Sequence, residues 1–229
     1  HRWVVSFDLT SLYPHIQMGW NLSPETLVEP KDWPDDIRKM MSQNITIDTL
    51  LDEEVDLSAL KKHNLTITPN RQIFRRDIHG FVPQIMEKMF SDRKKYKNMM
   101  LECENELQSH SHNYSEEMIE ELKNNISKYD ILQSNIKICL NSNFGSTGNQ
   151  FFRFYDIRQA EAITTYGQLA IRWIQKHLNN YLNDLIGTKN IDFVVASDTD
   201  SAYISLELLI EKVFPDAKDL AKTNPIKIV

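Results

Sequence analysis

Two long stretches of the chain repeat their apolar side chains at the helical period of three to four residues. The first covers residues 82 to about 107 and contains no glycine. A polar break at residues 109–115 follows it. The second begins near residue 116, with Ser115 as a suitable N-cap, and extends to about residue 143. Two long helices that are joined by a short polar loop predict an antiparallel helical hairpin.

A third helical stretch and three short β-favouring segments complete the pattern. The helix is predicted from Asp156, as its N-cap, to about residue 185, and Gly187 ends it. Residues 3–7 form an apolar strand that ends at Asp8, and segments 193–197 and 202–205 predict a β-hairpin with acidic residues at its tip. The pattern therefore predicts an α/β protein of the α+β type.

Residues 21–72 have no long periodic pattern. Four prolines interrupt this region, and only short helical patterns such as residues 35–41 occur in it. We interpret it as a variable connecting region.

The composition is that of an ordinary globular protein. With 229 residues, 41% of them hydrophobic and 25% charged, the chain can form one large domain or two small ones. It contains neither the apolar run of a membrane helix nor a signal peptide, which predicts a cytoplasmic protein without a membrane partner. Because it begins with His1, and a strand follows almost at once, we expect it to be a piece of a larger protein.

The charge is segregated along the chain. A formal net charge of -6 argues against a surface that binds nucleic acid everywhere. Residues 75–97, however, carry seven Lys or Arg against three acids, whereas residues 101–122 carry acids and no Lys or Arg. The charge pattern therefore allows a local basic groove.

Acidic side chains stand where two distant strands end. Asp8 follows the first strand, and Asp198 and Asp200 lie in the turn of the predicted hairpin. Carboxylate oxygens are preferred ligands of magnesium, and two such ions can stabilise a phosphoryl displacement. An Asp-Thr-Asp sequence alone is more often a solvated turn. It is not an EF-hand loop, because Tyr203 stands where that loop requires glycine. A glycosyltransferase Asp-x-Asp site remains an alternative.

A second group of residues shares one helical face. Lys137, Asn141, Phe144, Gly145 and Gly148 follow the i, i+4, i+7, i+8, i+11 spacing. Glycine is scarce in the chain, so two on one face suggest that another molecule approaches the backbone there. The alternative is a simple helix terminus with a solvated lysine.

Arg93 and Lys97 form an i, i+4 pair on the first long helix. Guanidinium and ammonium groups at this spacing can bind phosphates. Considered alone, such a pair is more often part of a solvated face.

Together, three of these segments resemble the conserved motifs A, B and C of family B DNA polymerases. They are Asp8-Leu-Thr-Ser-Leu-Tyr13-Pro14, the face from Lys137 to Gly145, and Asp198-Thr-Asp-Ser201. The segments Asn21-Leu-Ser-Pro-Glu-Thr26 and Phe152-Arg-Phe-Tyr-Asp156 are most similar to replicative polymerases of T-even-like phages. The resemblance covers essentially the whole chain and is weakest across residues 31–71 and after residue 206.

The resemblance implies a palm and fingers architecture. Residues 1–74 and 149–229 would form a palm with a small antiparallel sheet, and residues 75–148 would form helical-hairpin fingers. Rotation of the hairpin would bring Arg93 and Lys137 onto an incoming nucleotide.

The resemblance also implies the role of each site residue. Asp8 and Asp200 would bind two Mg²⁺ ions, with Mn²⁺ as a substitute and the Leu9 carbonyl as a further ligand; Asp198 would be an accessory catalytic residue. Seven further residues would contact the nucleotide: Ser11, Leu12, Tyr13, Arg93, Lys97, Lys137 and Asn141. The Tyr13 ring would exclude a ribose 2'-hydroxyl. Phe144 and Gly145 would contact the nascent base pair. Phe144 replaces the tyrosine that is usual in the family.

The implied activity is template-directed DNA synthesis, with primer-template DNA and deoxynucleoside triphosphates as partners. Exonuclease and thumb regions would be supplied elsewhere, in a longer chain or a partner chain, and a sliding clamp would be a further partner. A phage protein would act in the host cytoplasm. Two alternatives remain at this point: a non-catalytic module that binds nucleotide or template, and the Asp-x-Asp glycosyltransferase.

Overall fold

The computed structural model describes residues 3–110 and 113–214 of the chain. In chain order the helices and strands are β1 (Val4–Asp8), α1 (Leu12–Gly19), β2 (Leu27–Val28), a 3-10 turn (Pro30–Asp32), α2 (Asp35–Met40), α3 (Ile47–Leu51), α4 (Ser58–Lys62), β3 (Leu65–Ile67), β4 (Ile73–Arg75), α5 (Phe81–His110), α6 (Glu116–Thr147), α7 (Ile157–Ile186), β5 (Val194–Asp198), β6 (Ser201–Ser205) and α8 (Glu207–Val213). The predicted α+β class, with antiparallel sheets and a long helical hairpin, is confirmed. Residues 215–229 of the predicted third segment lie outside the described residues.

The first sheet joins strands that are far apart in sequence. Its order is β1-β6-β5, and both pairs are antiparallel. The predicted hairpin of β5 and β6 is present, and β1 adds to its β6 edge. A register shift between Val194 and Ala196 marks an irregularity in β5.

The long hairpin of α5 and α6 is packed at one end only. The helices have 30 and 32 residues, about 45 Å each at 1.5 Å per residue. Ser115 is the N-cap of α6, and its side chain accepts a hydrogen bond from the Met118 amide, as the sequence predicts. The buried residues of both helices lie near the base of the hairpin: Val82, Pro83, Met86, Leu140 and Thr147. The rest of the hairpin therefore projects from the body.

Helix α7 contributes residues to two buried apolar clusters. Asp156 caps its start, and Gly187 ends it with a φ of 79°, a left-handed conformation that favours glycine. Near its start, Ile163 packs in one buried cluster with Ile16 of α1 and with Phe74 of β4. Near its end, a second cluster packs it against the first sheet through Leu182, Phe193 and Ile204.

A second sheet lies within residues 27–75, most of which the sequence analysis interprets as a connecting region. Its order is β2-β4-β3, and its strands have only two or three residues each. With α2 and α4 it encloses a core that includes Ile37, Leu60 and Ile73. The interpretation as a connecting region missed this sheet, because such short strands show too little alternation to be recognised.

Within the described residues, no helix combines the length and apolar character needed to cross a membrane.

Candidate active site

The strand register places carboxylates on one row of the first sheet. Asp8 of β1 lies opposite Ser201 of β6, which lies opposite Asp198 of β5. Directly opposed residues share a face of the sheet. The Leu9 amide also donates a hydrogen bond to the Asp200 carbonyl at 2.7 Å. The two acidic segments, at least 190 positions apart in the sequence, are thus fixed beside each other by main-chain contacts.

At β6, the face that carries this row is partly exposed, whereas the residues on the opposite face are buried. Successive strand residues point to opposite faces, so Ser6 and Tyr203 form the next row on the carboxylate side. Tyr203 is 39% exposed, whereas its neighbours Ala202 and Ile204 on the other face are buried. The partly exposed face could therefore accept a large ligand alongside the carboxylates.

The chain turns sharply between Asp8 and α1. Ser11, the N-cap residue of α1, has φ 55° and ψ 49°, which is a left-handed conformation that is uncommon for a residue with a side chain. This turn starts α1 immediately after the strand. As a result, the carboxylate of Asp8 and the first turn of α1 border the same space.

A cavity of about 510 Å³ lies where β1, α1, α6 and the β5–β6 turn meet, and we call it the central cavity. It is lined by eight of the predicted site residues and by two others: Asp8, Ser11, Leu12, Tyr13, Lys137, Asn141, Phe144 and Asp200, with Pro14 and Thr199. The structure therefore brings together side chains from all three motif segments.

Five predicted site residues do not line the central cavity: Leu9, Arg93, Lys97, Gly145 and Asp198. Asp198 lies at its edge, and its carboxylate accepts a hydrogen bond from the Thr199 amide at 2.7 Å. Arg93 is on α5; its buried Nε has no hydrogen-bond partner within the described part of the chain.

The two glycines of the α6 face have different surroundings. Gly145 is inside α6, and a side chain there would meet no atom within 4 Å, so the space above it is open in this structure. Gly148 is the C-cap of α6, as the alternative of a helix terminus predicts. A Cβ on Gly148 would contact Ala160 at 3.5 Å, an ordinary van der Waals distance.

Tyr13 interacts with two other residues that line the cavity, Phe144 and Asp200. Its ring centroid lies 4.7 Å from that of Phe144, with the planes tilted by 49°. Burial raises the pKa of the Tyr13 hydroxyl, and the negative charge of Asp200 raises this pKa further. The hydroxyl therefore remains protonated near neutral pH.

The cavity is lined by charges of both signs, which come from different elements. Among the described residues, no ion pair engages Asp8, Asp200 or Lys137. The carboxylates offer hard oxygen ligands, and Lys137 offers an ammonium group that can bind a phosphate. The described part of the chain contains no ready-made cluster of three or more His, Cys, Asp or Glu side chains for a metal. A metal here would depend on two carboxylates together with main-chain or ligand oxygens.

Sequence reasoning missed the contacts that hold the cavity walls together. Asn143 Nδ2 donates a hydrogen bond to Gln17 Oε1 at 3.0 Å, which ties α6 to α1. Gly167 of α7 lies close to the Tyr13 ring. Both are contacts between distant segments, and the only advance signal was the scarcity of glycine in the chain.

Comparisons with known proteins found a matching family and several relatives. The family model for DNA polymerase family B matches residues 1–223. The DNA-directed DNA polymerase of Escherichia phage RB69 is 32% identical over 247 residues, which cover 93% of this chain and 26% of that protein. For Enterobacteria phage T4 the corresponding values are 30% over 259 residues, 96% and 27%. The DNA polymerase delta catalytic subunit of Arabidopsis thaliana is 25% identical over 203 residues, 88% of this chain and 15% of the plant protein. The chain spans about a quarter of the length of the two phage relatives.

Proposed function

Because the chain belongs to DNA polymerase family B, we propose that it provides the nucleotidyl-transfer site for template-directed DNA synthesis. One observation carries the proposal. The central cavity brings Asp8 and Asp200 together with Lys137, Asn141 and Phe144 of α6, so that carboxylate, ammonium, amide and aromatic groups share one space. The matched phage relatives are named as DNA-directed DNA polymerases.

In this proposal the reaction is an in-line displacement. The primer 3'-hydroxyl gives its proton to solvent water, and its oxygen forms a bond to the α-phosphorus of a deoxynucleoside triphosphate. The bond between the α-phosphorus and its bridging oxygen breaks, and pyrophosphate leaves with the electron pair. Charge develops on the phosphate oxygens, so a cation fixed at the cavity wall stabilises the transition state more than the ground state. Lys137, which lines the cavity, would be that cation.

The donor set at the acidic edge suits magnesium. Asp8 and Asp200 border the cavity, and the Leu9 carbonyl follows Asp8 directly; all three offer the oxygen ligands that Mg²⁺ prefers, with Mn²⁺ as a substitute. When bound, two such ions would stabilise the attacking and leaving oxygens. Asp198, which lies outside the cavity, would act on this edge indirectly.

The other cavity residues would position the nucleotide. Ser11 and Leu12 begin α1 beside the carboxylates, where a triphosphate would lie. The Tyr13 ring would pack against the sugar, and Asn141 and Phe144 would border the nascent base pair, together with Gly145 on the open part of α6.

The partly exposed face of the first sheet is the surface that we assign to the primer end of the DNA. It leads from the carboxylate row to Ser6 and Tyr203 without a covering element among the described residues. We assign residues 1–74 and 149–229 to a palm and residues 75–148 to fingers. Exonuclease and thumb regions and a sliding clamp would be further partners in replication.

Primer extension tests the proposal. Asp8→Asn and Asp200→Asn, made in the complete polypeptide that contains these residues, should each lower deoxynucleotide incorporation at least about a hundredfold. Binding of labelled primer-template, measured by fluorescence anisotropy, should change little. Asp184→Asn is a matched control, because Asp184 is an exposed carboxylate of α7 outside the cavity.

Each outcome decides between the alternatives. Normal extension by both variants would exclude this cavity as the reaction site. Nucleotide binding by the unmodified protein without any extension would favour a non-catalytic module. Hydrolysis or transfer of a nucleotide-sugar with manganese, independent of primer-template, would favour a glycosyltransferase, although Asn141 and Phe144 have no assigned role in that reaction.

A further inference from the structure

Gly167 lies in the middle of α7, where glycine has no conformational reason to occur. Its φ is not in the left-handed region, unlike that of Gly187 at the end of the same helix. Glycine inside a helix is less favourable than alanine by about 0.5–1 kcal/mol. A reason for glycine at this position must therefore come from its surroundings.

The surroundings of Gly167 are the first turn of α1. A Cβ built on Gly167 would lie 3.1 Å from Cε1 of Tyr13, 3.7 Å from Cδ2 of Leu12 and 3.9 Å from Cδ1 of Ile16. The first distance is shorter than an ordinary carbon contact of about 3.5–4.0 Å. The atom that would be displaced belongs to an aromatic ring, which cannot bend away at its end as a flexible aliphatic chain can.

The Tyr13 ring has a further close neighbour on α6. Phe144 of α6 contacts it with a centroid distance of 4.7 Å. The ring thus contacts α6, lies close to α7 and lines the central cavity. A side chain at position 167 would limit how closely the ring can approach α7.

We propose that Gly167 is a positioning residue for sugar selection: the missing side chain lets the Tyr13 ring withdraw toward α7, which leaves room in the central cavity for a deoxyribose. This inference rests on the proposed function. Gly167, a residue outside the cavity, would set the width that is available to the nucleotide sugar.

The substitution Gly167→Ala should push the ring into the cavity. An added methyl group in a packed site costs enough to weaken binding by about tenfold. We therefore expect the KM for deoxynucleotides to rise about tenfold, with kcat changed much less, because Tyr13 faces the sugar and not the reacting phosphate. The ratio of deoxynucleotide to ribonucleotide incorporation should change as well, whereas a general loss of folded protein would lower all rates together.

A double-mutant cycle with Tyr13→Ala isolates the contact. If Gly167 acts through the ring, Gly167→Ala should have no more than about a twofold effect on KM once the ring is removed. Gly19→Ala is the matched control. Gly19 is a helical glycine of α1 that is exposed, and a Cβ there would meet no atom within 4 Å. It should leave KM unchanged.

Thermal unfolding of the same proteins provides a readout that needs no activity. Gly167→Ala should lower Tm by about 3 °C with Tyr13 present and raise it slightly with Tyr13→Ala, whereas Gly19→Ala should raise Tm slightly in both backgrounds. Absence of this coupling would overturn the packing step. Coupling in Tm with an unchanged KM and sugar ratio would overturn the selection role. If the unmodified protein extends no primer, the proposed function fails, and the unfolding cycle still shows whether Gly167 positions the ring.

Discussion

The hydrogen bond between Gln17 and Asn143 should hold the hairpin of α5 and α6 to the rest of the protein. It joins α1 to α6 with an Nδ2 to Oε1 distance of 3.0 Å, and only 1% of Gln17 is exposed. It lies near the apolar cluster of Val82, Met86 and Leu140 at the base of the hairpin, because Leu140 precedes Asn143 by less than one helical turn. The tested variant is Asn143→Leu, which removes the donor and leaves the buried Gln17 Oε1 without this hydrogen bond.

The expected loss follows from the burial of the acceptor. A buried polar group left unsatisfied costs about 1–3 kcal/mol. Asn143→Leu should therefore lower the free energy of unfolding by about 2 kcal/mol. Gln17→Leu should cost less, about 1 kcal/mol, because Asn143 is only partly buried and its amide can turn toward water. The double variant replaces both partners by apolar groups of similar size, so it should be within about 1 kcal/mol of the unmodified protein.

Urea unfolding of the four proteins provides the free energies, by linear extrapolation. The predicted coupling energy is about 2 kcal/mol. Gln133 and Asp130, an exposed hydrogen-bonded pair on α6 at 2.9 Å, supply the control cycle, where we expect less than about 0.5 kcal/mol. If the losses at Gln17 and Asn143 simply add within about 0.5 kcal/mol, the hydrogen bond does not secure the hairpin.

Three further outcomes follow from single residues. Phe74→Ala, in a fully buried position of β4, should lower the free energy of unfolding by about 3–5 kcal/mol in urea titrations. Hydrogen bonds from Arg158 lower the pKa of Glu29, so this pair stabilises the fold above the ordinary glutamate pKa and loses its effect as pH falls; the difference in Tm between Glu29→Gln and the unmodified protein should shrink below about pH 4.5. Lys137→Met should raise the KM for deoxynucleotides about tenfold, whereas Lys95→Met, a surface change on α5, should not.

Local signals predicted the long helices well. Ser115, Asp156 and Gly187 occupy the cap positions that their residue types favour. The second helix nevertheless continues to Thr147, four residues past the predicted end, because its last turn buries Thr147 and packs Phe144 against Tyr13. Helix existence is a local property, whereas this helix end depends on a tertiary contact.

The remaining features depend on contacts between distant residues. The second sheet pairs strands of two or three residues, whose alternation is too short to be recognised in the sequence. The motif resemblance indicated which residues belong to the site. It could not show that Tyr13 meets both Phe144 and Gly167, because single-sequence patterns contain no information on packing across more than 100 positions.

The prediction that Arg93 and Lys97 of α5 bind phosphate has a consequence for the movement of the hairpin. At 1.5 Å per residue, Lys137 lies about 15 Å from the end of α6, and Arg93 and Lys97 lie about 18 and 24 Å from the start of α5. The rings of Tyr96 and Tyr129 stack between the two helices, so the hairpin should move as one unit. A rotation of 10° about the base would then displace Lys97 by about 4 Å and Lys137 by about 3 Å. Lys137 borders the cavity without any movement, whereas Arg93 and Lys97 can take part in phosphate binding only if such a rotation occurs.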